Sequence, residues 1–189
     1  MKKLQILVVA LFATITGFSQ SWTLDKSHAK LGFTITHMMI SDVEGFLKTF
    51  DVKLTSSNPD FSDAAIELTA DVNSINTDVE QRDNHLKGPD FFDVSKFPAI
   101  SFKSKSLTKT GDKTYKLKGE LTMHGVTKPV EFDVILKGTV VNPMTKKTIA
   151  GFKVSGVLKR TDFGIASTFP AAVLSDEVTI TANAEFIKD

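Results

Sequence analysis

The chain has 189 residues, 41% hydrophobic and 24% charged, with a formal net charge of +1. That is room for one ordinary domain, and with no basic run it gives no reason to expect a nucleic-acid partner. Cysteine is absent, which excludes disulfides, thiolate zinc sites, cysteine nucleophiles and the acylated cysteine of a lipoprotein. There are 15 Phe against one Trp and one Tyr, and Phe has no polar tip to satisfy when buried, so this aromatic set suits an apolar interior.

The first element is a targeting segment. Met1-Lys2-Lys3 forms a short basic start, Leu4 to Ile15 is apolar, and Gly17-Phe18-Ser19 offers small residues for cleavage near Ser19 or Gln20. This reads as a signal peptide over residues 1–19, followed by one domain over 20–189, in a protein that is periplasmic or secreted. The apolar run is short for a spanning helix, and no second candidate follows, so no integral membrane span is expected after processing. Loss of Lys2 and Lys3 leaves 21 basic against 22 acidic side chains.

From there the pattern has period two. Leu31, Phe33, Ile35 and His37 alternate with polar or small residues, and so do Phe50, Val52 and Leu54, then Ile66, Leu68, Ala70 and Val72. Ile100, Phe102 and Ser104 make a short run. Tyr115, Leu117, Gly119, Leu121 and Met123 follow, then Val130, Phe132, Val134 and Leu136. Phe152, Val154, Gly156 and Leu158, and finally Val178, Ile180, Ala182, Ala184 and Phe186, complete about eight strands with one apolar and one wet face, the signature of antiparallel pairing. Residues 56–60 and 109–113, His124-Gly125 and Asn142-Pro143 supply turn chemistry between them.

Residues 76–93 break the rhythm. Thr77 or Asp78 is placed to cap a helix carrying Val79, Arg82, His85 and Leu86 on one face, with Gly88-Pro89 ending it. A single helix in an all-β chain covers an end of the sheet or merely connects strands. Periodicity does not choose between a sandwich and a closed barrel.

Several stretches together resemble the YceI-like family of polyisoprenoid-binding proteins: Trp22-Thr-Leu-Asp25-Lys-Ser-His28 with Phe33-Thr-Ile-Thr-His37; Gly45-Phe46 and Phe50; Gln81-Arg82-Asp83-Asn84-His85-Leu86 through Asp90-Phe91-Phe92-Asp93 to Phe97-Pro98; the run from Gly119 to Val130; and Arg160-Thr-Asp162-Phe163-Gly164-Ile165. The resemblance covers nearly all of the chain beyond Trp22. It implies an all-β, eight-stranded antiparallel, lipocalin-like up-and-down barrel with one short helix covering an end. It also implies a hydrophobic tunnel for a long-chain isoprenoid or similar amphiphile, no enzymatic activity, and, by resemblance alone, a homodimer.

The residues allow these expectations to be placed. Phe33, Ile35, Phe46, Phe50, Phe91, Phe92, Phe102, Leu121, Phe132 and Phe163 are expected on the inward face or on elements covering it, as the lipid-binding set. His37, Arg82 and His85 are expected at the rim, where a forked guanidinium suits a phosphate, carboxylate or carbonyl head group. The alternative for Arg82 is an ion pair with an acid such as Asp25 that locks the helix to the sheet.

His28, His37, His85 and His124 lie on different elements without zinc-type spacing, so no metal is expected, and His28 is expected to bond backbone near the rim. Asp25, Ser27 and His28 are too close in sequence for a catalytic triad, and there is no nucleophile elbow, so neither catalytic residues nor a cofactor are expected beyond the bound amphiphile itself. At about 0.8 kcal/mol per buried CH₂, a chain of about twenty carbons gains on the order of 15 kcal/mol before ordering costs. A lipid carrier is the leading reading. A filled-core interaction or stress-response barrel and a quinone-using redox accessory are the alternatives.

Overall fold

The computed structural model describes residues 20–189; the expected signal peptide lies outside them. Ten strands run in chain order as β1 (Gln20–His37), β2 (Ser41–Leu47), β3 (Phe50–Ser56), β4 (Ala65–Asp71), β5 (Ile75–Asn76), β6 (Ala99–Lys109), β7 (Thr114–Met123), β8 (Val126–Val141), β9 (Thr148–Lys159) and β10 (Leu174–Lys188), with one helix, α1 (Glu80–Leu86), between β5 and β6.

All pairings are antiparallel, and β10 returns to pair with β1 from Trp22↔Lys188 to His37↔Leu174, which closes the sheet. Both β2 and β3 pair with the same edge of β1, through Leu31–His37 and Gln20–Thr23 respectively. They are therefore one long strand broken at Lys48 and Thr49. In the same way β4 pairs with β3 and β5 with β2, separated by a 3₁₀ turn, Val72–Ser74. Val72, expected in the strand, begins that turn instead. With each broken pair counted once, eight strands meander around the barrel, as the resemblance implied.

The two ends are built differently. At the end holding residues 57–64, Phe61 inserts between Trp22 and Phe152, with ring centroids 4.9 and 5.0 Å away. The Tyr115 hydroxyl donates to the Asp60 carbonyl at 2.6 Å, and Phe61 and Tyr115 are almost wholly buried. The Asp63 carboxylate gathers the loop by accepting from Ser56 Oγ and from the Ser57 and Asn58 amides at 2.5, 2.8 and 3.1 Å. This end is plugged.

At the other end lie the β1–β2 turn, α1, and the loop between β9 and β10. The N-cap of α1 is Val79, in extended conformation and without a side-chain cap, because Asp78 takes φ +61° and turns the chain one residue later than expected. Asp83 of α1 instead reaches back to the Thr77 amide and hydroxyl at 2.8 and 2.6 Å. Val79 is exposed and off the inward face.

The β9–β10 loop is held by Arg160, only 4% exposed. Its Nε donates to the Ser175 carbonyl at 3.0 Å, Nη1 to the Ile165 carbonyl at 3.2 Å and to that of Ala166, and Nη2 to the carbonyls of Phe169 and Leu174 at 2.8 and 3.0 Å. A guanidinium has five N–H donors, and here each has a main-chain acceptor. Removing it takes a donor from five buried or part-buried carbonyls, of which only that of Ala166 also accepts from a main-chain amide, Phe169, within the loop. Arg160→Met is expected to lower unfolding stability by about 3–5 kcal/mol, and Arg160→Lys to recover only part of that, because an ammonium has three donors and no fork. Denaturant titration checks both, and faster amide exchange confined to residues 161–174 would locate the damage.

Candidate functional site: an apolar cavity open at one end

The closed strands enclose a cavity of about 500 Å³, so the barrel interior is not filled by its own side chains. Its walls are the inward positions of the period-two runs: Leu31, Phe33 and Ile35 on β1, Ile66 and Leu68 on β4, Ile100 and Phe102 on β6, Leu117 and Leu121 on β7, Phe132 and Val134 on β8, Phe152 and Val154 on β9, and Val178 and Ile180 on β10. A volume of this size is typical of a site for one small amphiphile.

Two glycines explain why so many Phe residues leave the middle empty. A Cβ placed on Gly119 would lie 2.4 Å from the Phe102 ring, and one on Gly156 would lie 2.5 Å from the Phe132 ring. Each ring is laid against the bare backbone of a neighbouring strand rather than across the barrel axis, and the two rings meet edge to face at 5.9 Å.

Wall residues toward the plugged end, such as Leu54, Leu107 and Val134, are buried, whereas Phe33, Ile35, Val43, Phe92, Val173 and Val178 at the other end are half-buried. His37 and His85 line the cavity while being exposed, so the mouth lies beside the β1–β2 turn and α1. There Phe91 stands between His85 and Phe169, at 4.9 and 5.2 Å between centroids. The chain after α1 folds back to place it, with the Phe92 amide on the Leu86 carbonyl and the Asp93 amide on that of Gly88.

Eight of the ten expected lining residues border the cavity: Phe33, Ile35, Phe50, Phe91, Phe92, Phe102, Leu121 and Phe132. Two do not. Phe46 faces outward because Val43, Gly45 and Leu47 take the inward positions of β2; its ring covers Gly32, and the Lys30 ammonium sits 3.7 Å above it. Phe163 is buried in the 3₁₀ turn after β9, beneath the β7–β8 turn, where its carbonyl accepts from His124 Nδ1 at 3.0 Å.

His37, Arg82 and His85 all reach the cavity, but they are not equivalent. Arg82 does not pair with Asp25. Its Nε donates to Thr77 Oγ1 at 2.7 Å and its Nη2 to the Thr77 carbonyl at 2.8 Å, leaving Nη1 without a hydrogen bond among the described residues. His85 Nε2 lies 3.6 Å from the Asp90 carboxylate. Arg160 also borders the cavity, and Phe152 and Phe169 add two rings. Phe152 was legible as an inward strand position; Phe169 and Arg160 lie in or beside an irregular loop, where no period indicates direction.

A YceI-like domain matches residues 22–186. The chain belongs to the YceI-like family. A UPF0312 protein of Staphylococcus aureus is 38% identical to this YceI-like chain over 170 residues, covering 88% of it and 96% of the relative. The Campylobacter jejuni YCEI protein shares 32% identity at a TM-score of 0.75, over 88% of this chain and 97% of that one. BcnA of Burkholderia cenocepacia (21% identity, TM-score 0.77, 86% and 98% covered) and a polyisoprenoid binding domain from Saccharophagus degradans (13%, 0.65, 90% and 99%) share the fold.

One polar cluster lies away from the cavity. In the β1–β10 ladder Asp25 pairs with Glu185 and Lys30 with Asn183, so residues 26–29 bulge opposite Ala184. Asp25 accepts from the Ser27 amide at 3.0 Å and bonds His28 Nδ1 at 2.8 Å, with Glu185 3.9 Å from the same nitrogen. His28 therefore bonds a carboxylate rather than backbone. Among the described residues these three are the group whose ligand atoms lie within 4.8 Å of one another, and the ion pair accounts for their geometry.

The Asp25 hydrogen bond, helped by the charges of Asp25 and Glu185, raises the His28 pKa, and the same hydrogen bond lowers that of Asp25. The His28 contribution to stability is present below its unfolded value, near 6.5, and is lost as pH rises through the higher folded value. That of Asp25 is present above about 3.8 and is lost as pH falls through the lower folded value. An NMR titration is expected to place the His28 midpoint above that of a free histidine, and Asp25→Asn to bring it back down; a midpoint unchanged by Asp25→Asn would dismiss the pairing.

Proposed function

We propose that this chain is a non-enzymatic carrier that holds a single long-chain isoprenoid or similar amphiphile, tail inward and polar head at the mouth, outside the cytoplasm. The observation that carries this reading is the cavity of about 500 Å³, closed by an aromatic plug at one end and walled almost wholly by hydrocarbon. Such a space suits an apolar chain and gives a polar substrate nothing to bind. The polyisoprenoid binding domain that shares this barrel supports the cargo class, and the basic and apolar start of the sequence supports export.

The polar groups fit a holding role better than a reactive one. Arg160 spends all five donors on its own loop, and Arg82 spends two of its three nitrogens on Thr77. At the mouth one guanidinium nitrogen and two imidazoles are placed to orient a hydroxyl or phosphate head. A quinone-using redox role would need a reactive cluster beside the tunnel. A binding energy drawn from hydrocarbon burial is tolerant of chain type, so the cargo class is set by length and slenderness rather than by a functional group.

The reading is tested by native mass spectrometry of protein purified from its own envelope, and by uptake of a polyprenol from detergent micelles. A stoichiometric long-chain amphiphile is expected. Ala182→Trp, an inward substitution on the β10 wall, is expected to fill the space, leaving a cooperative thermal melt but cutting uptake at least tenfold. Protein that arrives empty and takes up neither polyprenols nor quinones would overturn the proposal.

A further inference from the structure

The β1–β2 turn presents Met38, Met39 and Ile40 at 50, 73 and 87% exposure. They follow directly on His37, which borders the cavity mouth. Both methionines hold positive φ, +53° and +61°, a conformation for which Asn and Gly are preferred and large side chains are not. The turn is nonetheless fixed: the Ile40 amide donates to the His37 carbonyl at 3.2 Å, and the Met38 amide to the Val173 carbonyl at 2.9 Å, one rung beyond the His37↔Leu174 pair of β1 and β10. An ordinary hairpin would place polar residues here. This one holds three apolar side chains in water, on a tethered backbone, beside the cavity mouth.

We infer that this turn is a membrane-docking tip that dips into the headgroup–acyl boundary of a neutral bilayer, so that cargo passes between cavity and membrane without crossing water. The cargo part of this inference rests on the proposed function; the docking part does not. Three residues on a convex turn are a point of contact, far from the roughly 800 Å² per partner that a stable protein interface buries, whereas a fluid bilayer can envelop a point. Methionine, unbranched and flexible, adapts to such surroundings. None of the three side chains carries a charge or a hydrogen-bonding hydroxyl or amide, so insertion strips no polar side chain of water. The nearest charge along the chain is Asp42, an acid held by Thr36 Oγ1 at 2.8 Å, and its sign favours a zwitterionic surface over an anionic one.

The test is flotation of the purified protein with phosphatidylcholine vesicles, with and without added phosphatidylglycerol. The variant is Met38→Asn combined with Met39→Gly and Ile40→Thr, which gives the turn the residues its backbone prefers and should melt no lower than the parent. The parent is expected to co-float with pure phosphatidylcholine, little affected by salt, and the variant to partition at least tenfold less while taking up polyprenol from micelles as before. Equal partitioning of parent and variant, failure of the parent to float, or flotation that requires phosphatidylglycerol would each overturn the docking tip. Flotation lost in the variant by a parent that takes up no polyprenol would uphold the tip and overturn the cargo reading instead. Polyprenol uptake by a parent that does not float would do the reverse.

Discussion

Closure of β10 onto β1 is the constraint on which the rest depends. Once eight strands close, the barrel radius is largely fixed, and an eight-stranded barrel has an interior only just wider than its own side chains can fill. Whether it becomes a solid core or a container is then decided by where the largest side chains point. In this chain the answer is local. Phe102 lies against Gly119 and Phe132 against Gly156, so the bulk of two rings is absorbed into the wall. A strand glycine normally weakens a sheet; here the ring of the neighbouring strand covers it, and the open axis is the result. Closure also brings the first and last strands together over the bulge at residues 26–29, which is how Asp25, His28 and Glu185 come to share one surface cluster.

The mouth poses a different problem. A cavity opening needs irregular backbone, and irregular backbone beside an apolar space exposes carbonyls that have no ladder to join. Arg160 solves this for the β9–β10 loop with a single buried cation and five acceptors. Asp83 and Arg82 do the corresponding work for the turn before α1, one carboxylate and one guanidinium meeting at Thr77. All three charged groups hydrogen-bond to uncharged groups of the chain itself.

What was legible in the sequence follows from this division. Strands are periodic, so the inward residues from Phe33 to Ile180 could be read from alternation alone, and the closed eight-stranded meander followed from their number together with the family resemblance. Phe46 departs from the expectation because Val43, Gly45 and Leu47 occupy the inward phase of β2, and an aromatic between them faces out. Phe163 and Arg160 lie past the end of β9, where no period operates, and their directions are set by backbone bonds that only the folded loop defines. Arg82 borders the mouth but bonds Thr77 rather than Asp25, a contact made within an irregular turn that no periodicity announces. His28 lay on a strand whose bulge no pattern announces.

The contrast between the ends turns the barrel into a vessel with a direction. At the plugged end Phe61 is nearly inaccessible and is locked between two other rings, so opening there would break the best-packed part of the core. At the mouth the walls are half-buried and the side chains shaping the rim hang on a seven-residue helix and two loops, the class of element with the lowest cost of local opening. A long apolar occupant therefore has one way in and the same way out. A tail held by burial leaves slowly into water, because each CH₂ drawn into solvent costs about 0.8 kcal/mol. The rate at which any such occupant exchanges is accordingly set less by the cavity than by what meets its mouth.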